Sequence, residues 1–163
     1  MSISLKEKEL AAVGISIAAG CRPCTDYHID TVRKAGASDD EIRQVVSDAI
    51  AVRRAATDIM ERHALRQPSD NGDQGEADAS RTSRVSELVS LGAAFAVNST
   101  PILERHLAGA AAAGVSEEEV GAVAEIAAFI KKVAASQVEK LVGNDEQGGV
   151  ARPAKKSAGG CCA

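Results

Sequence analysis

Aromatic residues are scarce in this sequence, and their scarcity excludes several functions. Only 2% of the 163 residues are aromatic (Tyr27, Phe95 and Phe129), and tryptophan is absent. Sheet-rich folds draw on aromatic and β-branched residues, so the composition argues against a β-sandwich or a β-barrel. Binding of single-stranded nucleic acid by stacking bases on aromatic platforms is excluded on the same ground.

The sequence also lacks an excess of positive charge and any long apolar run. Its net charge of -4 creates no field that attracts phosphate backbones. No apolar run approaches the roughly 20 residues that span a membrane, and the N-terminal residues lack the layout of a secretion signal. We therefore expect a soluble, cytoplasmic protein with no nucleic-acid or membrane partner.

What the sequence has in abundance is alanine, its commonest residue. Alanine is the strongest helix former. An all-α fold is therefore the first expectation.

An internal repeat organises the chain. Residues 9–62 align without gaps on residues 87–140 at a constant offset of 78. The matched positions include residues that chance rarely aligns together: Glu9/Glu87, Gly14/Gly92, Pro23/Pro101, His28/His106 and Gly36/Gly114. The sequence therefore predicts a tandem duplication.

Each repeat is predicted to contain three helices. The first covers roughly 4–19 or 83–97, where apolar residues recur at helical spacing. The second begins near Arg22 or Thr100, with proline in its first turn, and stops at Gly36 or Gly114. The third opens with the capping-box pattern Ser-x-x-Glu at Ser38 or Ser116, and its apolar stripe in the second repeat continues to Val138.

These patterns divide the chain into four segments. The repeats are residues 1–65 and 84–143, and we expect them to form one domain. Residues 66–83 are a polar linker rich in turn formers. Residues 144–163 lack apolar periodicity and are predicted to be a flexible tail.

Cys21 and Cys24 fall at the start of the second helix of the first repeat. Sulfurs at positions i and i+3 of a first helical turn are close enough to form a disulfide. The exposed N–H groups of a helix start favour a thiolate, and they lower a cysteine pKa from about 8.5 into a range of roughly 3.5–7.5. We therefore interpret this pair as redox-active.

His28 and Glu9 accompany the cysteines. His28 lies four residues after Cys24, on the same helix face, where an imidazole can exchange the thiol proton. Glu9 belongs to the preceding helix and can orient His28 if the two helices pack antiparallel. Because Glu87 and His106 persist in a repeat that has Ser99 and Ile102 in place of the cysteines, a purely structural role is the competing interpretation.

Cys161 and Cys162 form a second thiol pair, in the tail. One interpretation is a reductant arm for a Cys21–Cys24 disulfide. Another is a trap for soft metals or metalloids such as arsenic, mercury or zinc, which thiolates prefer. A zinc site needs four ligands, and Cys21, Cys24 and His28 supply three. The third interpretation is that the two cysteines belong to a terminal sequence that has not been selected for any function.

The pattern Glu9-x11-Cys21-x2-Cys24-x3-His28, followed by a Gly-Ala-Ser-Asp-Asp-Glu-Ile turn, resembles the alkylhydroperoxidase D (AhpD)-like branch of the carboxymuconolactone decarboxylase family. The resemblance covers residues 5–65, with 84–142 as a cysteine-less duplicate. It implies an all-helical fold, trimers or hexamers, and thiol-dependent peroxide reduction without a cofactor. Pro23 stands where peroxidase members often carry a second histidine.

By this resemblance, Cys24 attacks the peroxide, Cys21 resolves the product as a disulfide, and Glu9 and His28 relay protons. The implied partners are a hydroperoxide substrate, a dithiol reductant protein and further copies of the chain. Lactone decarboxylation ranks lower, because the decarboxylases proper of this family lack the CxxC pair. The primary prediction is therefore a thiol-dependent hydroperoxidase or disulfide reductase.

Overall fold

The computed structural model describes residues 3–67 and 83–143, which form six α-helices and no β-strand. In chain order the helices are α1 (Leu5–Ala19), α2 (Arg22–Lys34), α3 (Asp39–Ala64), α4 (Arg84–Ala96), α5 (Thr100–Ala112) and α6 (Glu117–Val142). Helices α1–α3 belong to the first repeat and α4–α6 to the second. The predicted all-α fold with a duplicated three-helix repeat is confirmed.

Local signals in the sequence set the ends of these helices. Ser38 and Ser116 each accept the N3 backbone N–H while the N3 glutamate bonds back to the serine N–H, so both capping boxes form as predicted. Gly36 and Gly114 follow α2 and α5 with φ of 85° and 74°. Residues with a Cβ rarely adopt this left-handed conformation, and the chain therefore turns at a glycine in both repeats.

The two repeats interlock through their first helices. Helix α1 packs along α4, and each also contacts the third helix of the other repeat (α6 and α3, respectively). Gly14 and Gly92 allow the close approach, because a Cβ at Gly14 would lie 2.6 Å from Val89 Cγ1 and a Cβ at Gly92 would lie 2.6 Å from Ile15 Cγ1. The main core therefore runs between the repeats rather than within either one.

Ion pairs connect the N-terminal ends of α1, α3, α4 and α6. Lys6 pairs with Glu41 at 2.7 Å in the first repeat, and Arg84 pairs with Glu119 in the second. Arg84 also reaches across to Glu7 of the first repeat at 3.0 Å. A single guanidinium thus bridges the two halves.

The prediction that the apolar stripe of the third helix continues to Val138 is wrong in its last part, because Val138 is 63% exposed. Helix α6 has 26 residues against 13 in α4 and α5. At 1.5 Å per residue it is about 39 Å long, whereas its neighbours are about 20 Å long. Its C-terminal turns therefore extend past the helices that would cover them.

We expect Gly92→Ala to lower the free energy of unfolding by about 1–3 kcal/mol, because the new methyl group overpacks the α1–α4 contact. Gly121→Ala is the matched control: a Cβ there meets no atom within 4 Å, and removing a helical glycine stabilises by about 0.5–1 kcal/mol. Urea unfolding of both variants checks the pair. Equal effects would contradict the tight packing assigned to α1 and α4.

The buried carboxylate of Glu119 predicts acid sensitivity. Hydrogen bonds from the Ser116 backbone and from Arg84 lower the pKa of Glu119 from about 4.5 to about 2. A lowered carboxylate pKa contributes stability that is fully present above about pH 4.5 and is lost as the pH falls towards 2. The difference in stability between the wild type and Glu119→Gln should therefore shrink over this interval.

Urea unfolding at several pH values measures that difference. Glu117→Gln is the control, since Glu117 is exposed in the same first turn of α6. A wild-type advantage over Glu119→Gln that stays constant from pH 5 to pH 2 would contradict the assignment.

Candidate active site

Cys21 and Cys24 are joined by a disulfide at the start of α2, with their Cα atoms 5.3 Å apart. Cys21 is the N-cap residue, and its Sγ accepts the backbone N–H of Cys24 at 3.4 Å. Pro23 lies in the first turn, where a missing N–H leaves no hydrogen bond unmade. The helix start thus donates a hydrogen bond to one of the two sulfurs.

The two cysteines differ in their access to solvent. Cys21 is only 3% exposed and packs in the main core. Cys24 is half-buried at the edge of that core. A reagent from solvent therefore meets the sulfur of Cys24 before that of Cys21.

Glu9 and His28 form a hydrogen bond that joins α1 to α2, and His28 lies four residues after Cys24 on the same helix. His28 Nδ1 lies 2.7 Å from Glu9 Oε2, and each side chain is 15% exposed. Glu9 comes from α1 and His28 from α2, so the packing of these two helices produces the contact. The ring of Tyr27 meets the His28 imidazole edge-on at 5.1 Å. With Nδ1 engaged by the carboxylate, Nε2 is the nitrogen left for proton exchange with a reacting group.

The second repeat reproduces this pair without the thiols. His106 Nδ1 lies 2.8 Å from Glu87 Oε2, and the two side chains are 11% and 7% exposed. Gly109 allows this deeper burial, because a Cβ there would lie 2.5 Å from Glu87 Oε2. The equivalent position in the first repeat is Thr31, and the Glu9–His28 pair remains more open to solvent.

The first repeat also contains a hydroxyl pair that the sequence analysis missed. Thr25 Oγ1 donates to Ser16 Oγ at 3.0 Å, directly beside Cys21. Their equivalents in the second repeat are Ala94 and Leu103, both apolar. The repeat alignment contained this signal, since both hydroxyls are present only where the cysteines are.

Within the described parts of the chain, no group of three or more His, Cys, Asp and Glu side chains could hold a metal ion. Cys161 and Cys162, the candidate soft-metal thiols, lie outside the described residues. Cys21, Cys24, His28 and Glu9 are all described: Cys21 caps α2, Cys24 and His28 lie on α2 four residues apart, and Glu9 of α1 contacts His28.

A family comparison identifies the fold and its duplication. The model of the carboxymuconolactone decarboxylase family matches the chain twice, over residues 2–66 and 73–139. The chain belongs to this family. The first match contains the cysteine pair with Glu9 and His28, and the second, which begins inside the predicted linker, contains Glu87 and His106.

This family membership confirms the resemblance drawn from the CxxC motif. It supports a function of the AhpD-like or the decarboxylase type. Searches of curated proteins and of solved structures each gave no match. Among the described residues, no helix is both long enough and apolar enough to cross a membrane.

Proposed function

We propose that the chain is a thiol-dependent hydroperoxidase that cycles Cys21 and Cys24 between dithiol and disulfide. With a protein disulfide as substrate in place of the peroxide, the dithiol form would reduce that disulfide, and the chain would act as a disulfide reductase. The observation that supports this most directly is the Cys21–Cys24 disulfide at a helix start, next to the Glu9–His28 pair. A reducing compartment such as the cytoplasm would supply the thiols that the cycle consumes.

The first step of the proposed cycle uses the more accessible sulfur. The Cys24 thiolate attacks one oxygen of the hydroperoxide, a new S–O bond forms, and the O–O bond breaks. Protonated His28, oriented by Glu9, gives its proton to the departing alkoxide. The products are an alcohol and a sulfenic acid on Cys24.

The second step produces the bond seen in the structure. Cys21 loses its proton to His28, and its thiolate attacks Cys24 Sγ. The S–OH bond breaks, and the hydroxide leaves as water after taking that proton. Two thiols are thus oxidised to a disulfide while one peroxide is reduced to an alcohol and water.

The third step restores the dithiol. A dithiol protein attacks the sulfur of Cys24, the less buried of the two cysteines, and Cys21 leaves as a thiolate. Its charge is stabilised by the N–H of Cys24 and by the dipole of α2. A second attack within the mixed disulfide releases the oxidised partner, so two electrons return to the chain.

Lactone decarboxylation is the weaker alternative within the family. Decarboxylation needs no pair of thiols, so it leaves the Cys21–Cys24 disulfide without a use. The dithiol cycle uses both cysteines together with the ion pair.

Cys24→Ser should reduce peroxide consumption by roughly 10³-fold or more, because it removes the attacking group. Stopped-flow measurement on the reduced full-length chain checks this. Cys21→Ser is the complementary variant: it keeps the attacking thiol, so one equivalent of peroxide should leave a sulfenic acid on Cys24 that mass spectrometry detects after trapping. Equal peroxide consumption by the wild type and Cys24→Ser would end the proposal.

His28→Asn should slow peroxide reduction by roughly 10²–10⁴-fold, the usual contribution of a general acid–base group. His106→Asn is the matched control, because it breaks the same kind of ion pair in the repeat that has no thiols. Stopped-flow kinetics should show His106→Asn close to the wild-type rate, while thermal unfolding confirms that both variants fold. Equal rates for the two variants would assign His28 a structural role only.

A further inference from the structure

A chain of hydroxyl groups connects α1 to the first turn of α2. Thr25 Oγ1 donates to Ser16 Oγ at 3.0 Å, and Ser16 Oγ donates to the carbonyl oxygen of Val13 at 2.8 Å. The Ser16 side chain is fully buried. Burial of a hydroxyl is unfavourable unless it is hydrogen-bonded, and each of these hydroxyls has a partner.

The same two residues hold the backbone of Cys21 on both sides. The N–H of Cys21 donates to the carbonyl oxygen of Ser16 at 2.9 Å. The carbonyl oxygen of Cys21 accepts the N–H of Thr25 at 2.9 Å, and at 3.0 Å it shares the single hydroxyl hydrogen of Thr25 with Ser16 Oγ. The side-chain bond between Ser16 and Thr25 thus closes a ring of hydrogen bonds around this cysteine.

The second repeat shows which of these bonds the fold requires. The backbone bonds recur there: the N–H of Ser99 donates to the carbonyl oxygen of Ala94 at 3.1 Å, and the N–H of Leu103 donates to the carbonyl oxygen of Ser99 at 2.9 Å. The hydroxyl bridge is absent, because alanine and leucine occupy the two positions. The helix–helix connection therefore forms without the hydroxyls, and their presence accompanies the thiols.

A difference in anchoring explains why the first repeat has the bridge. In α5 the first turn is fixed by Ile102, which is 2% exposed in the core. The equivalent residue of α2 is Cys24, which is only half-buried at the edge of the core. The only fully buried residue of α2 is Val32, near the other end of the helix. Apart from its N-cap Cys21, the start of α2 therefore has no fully buried apolar residue, and the bridge supplies a further, polar contact.

We infer that Ser16 and Thr25 are positioning residues that set the redox equilibrium of the Cys21–Cys24 pair. When the S–S bond opens, the crosslink no longer orders this turn, and the bridge keeps the Cys21 backbone where it lies in the disulfide form. The two sulfurs then stay close, which raises the effective concentration of one thiol at the other and favours the disulfide. This inference rests on the proposed function only in requiring that the pair interconverts between dithiol and disulfide.

The test measures that equilibrium for Ser16→Ala, Thr25→Val and the double variant in the full chain. Each protein is equilibrated with glutathione redox buffers, the thiols are trapped, and mass spectrometry gives the disulfide fraction. Loss of the bridge should lower the equilibrium constant for disulfide formation about fivefold, the effect of one net hydrogen bond. At 29.6 mV per factor of ten, this raises the reduction potential by about 20 mV.

The bridge also predicts non-additivity. Either single substitution breaks the Ser16–Thr25 bond, and each also removes one bond to a carbonyl oxygen, of Val13 or of Cys21. Because the bridging bond can be lost only once, the double variant should change the equilibrium by clearly less than the roughly 25-fold that two independent fivefold effects would give. Ser86→Ala is the control. It removes a partly buried hydroxyl of α4 that donates a hydrogen bond to Asp48 of α3 at 2.8 Å, and neither residue belongs to the α1–α2 bridge. Its redox equilibrium should equal that of the wild type.

Thermal unfolding of each variant in both redox states separates positioning from simple stabilisation. If the substitutions destabilise the oxidised and reduced forms equally, and the glutathione equilibrium is unchanged, the inference is overturned. A shifted equilibrium in a chain that consumes no peroxide would instead overturn the proposed function and leave the inference standing. If the chain consumes peroxide but the variants leave the glutathione equilibrium unchanged, the inference is overturned and the proposed function stands.

Discussion

The close approach of α1 to α4 is the constraint on which the rest of the structure depends. Gly14 and Gly92 leave no room for a side chain at the contact, and Val89 and Ile15 fill the space opposite them. Helix α1 is consequently buried over most of its length, whereas α2 has one fully buried residue. The candidate site therefore lies between a mostly buried helix, α1, which carries Glu9, and a more exposed helix, α2, which carries Cys24 and His28.

The duplication separates the structural part of this site from its chemical part. Glu87 and His106 show that the ion pair belongs to the contact between the first and second helices, with or without cysteines. The pair beside the thiols is more open to solvent, and Thr31 stands where Gly109 allows the tighter closure of the second repeat. The pair is thus part of the helix packing in both repeats, and the proton relay proposed for Glu9 and His28 is compatible with that structural role.

The sequence predicted those features that depend on local signals. Capping boxes at Ser38 and Ser116 determine where the third helices begin, and each depends on residues three positions apart. The contact of Glu9 with His28 followed once the two helices were taken to be antiparallel. The bridge from Arg84 to Glu7 and Glu119 was not predicted, because it joins residues far apart in the chain. Val138 was misassigned because helical periodicity reports which face is apolar and not where the neighbouring helices end.

The different environments of the two cysteines give the proposed cycle a direction. In that cycle, Cys24 is the more exposed of the two cysteines, so we propose that oxidation and reduction both begin at its sulfur. Cys21 lies in the core and accepts a hydrogen bond from the helix start, so it is the better leaving group when the disulfide opens. Attack of the reductant on Cys24 therefore releases a stabilised Cys21 thiolate that can react again in the next cycle. The burial of α1 bears on this proposed chemistry, because the carbonyl oxygen of its Ser16 holds the N–H of Cys21, the proposed resolving cysteine.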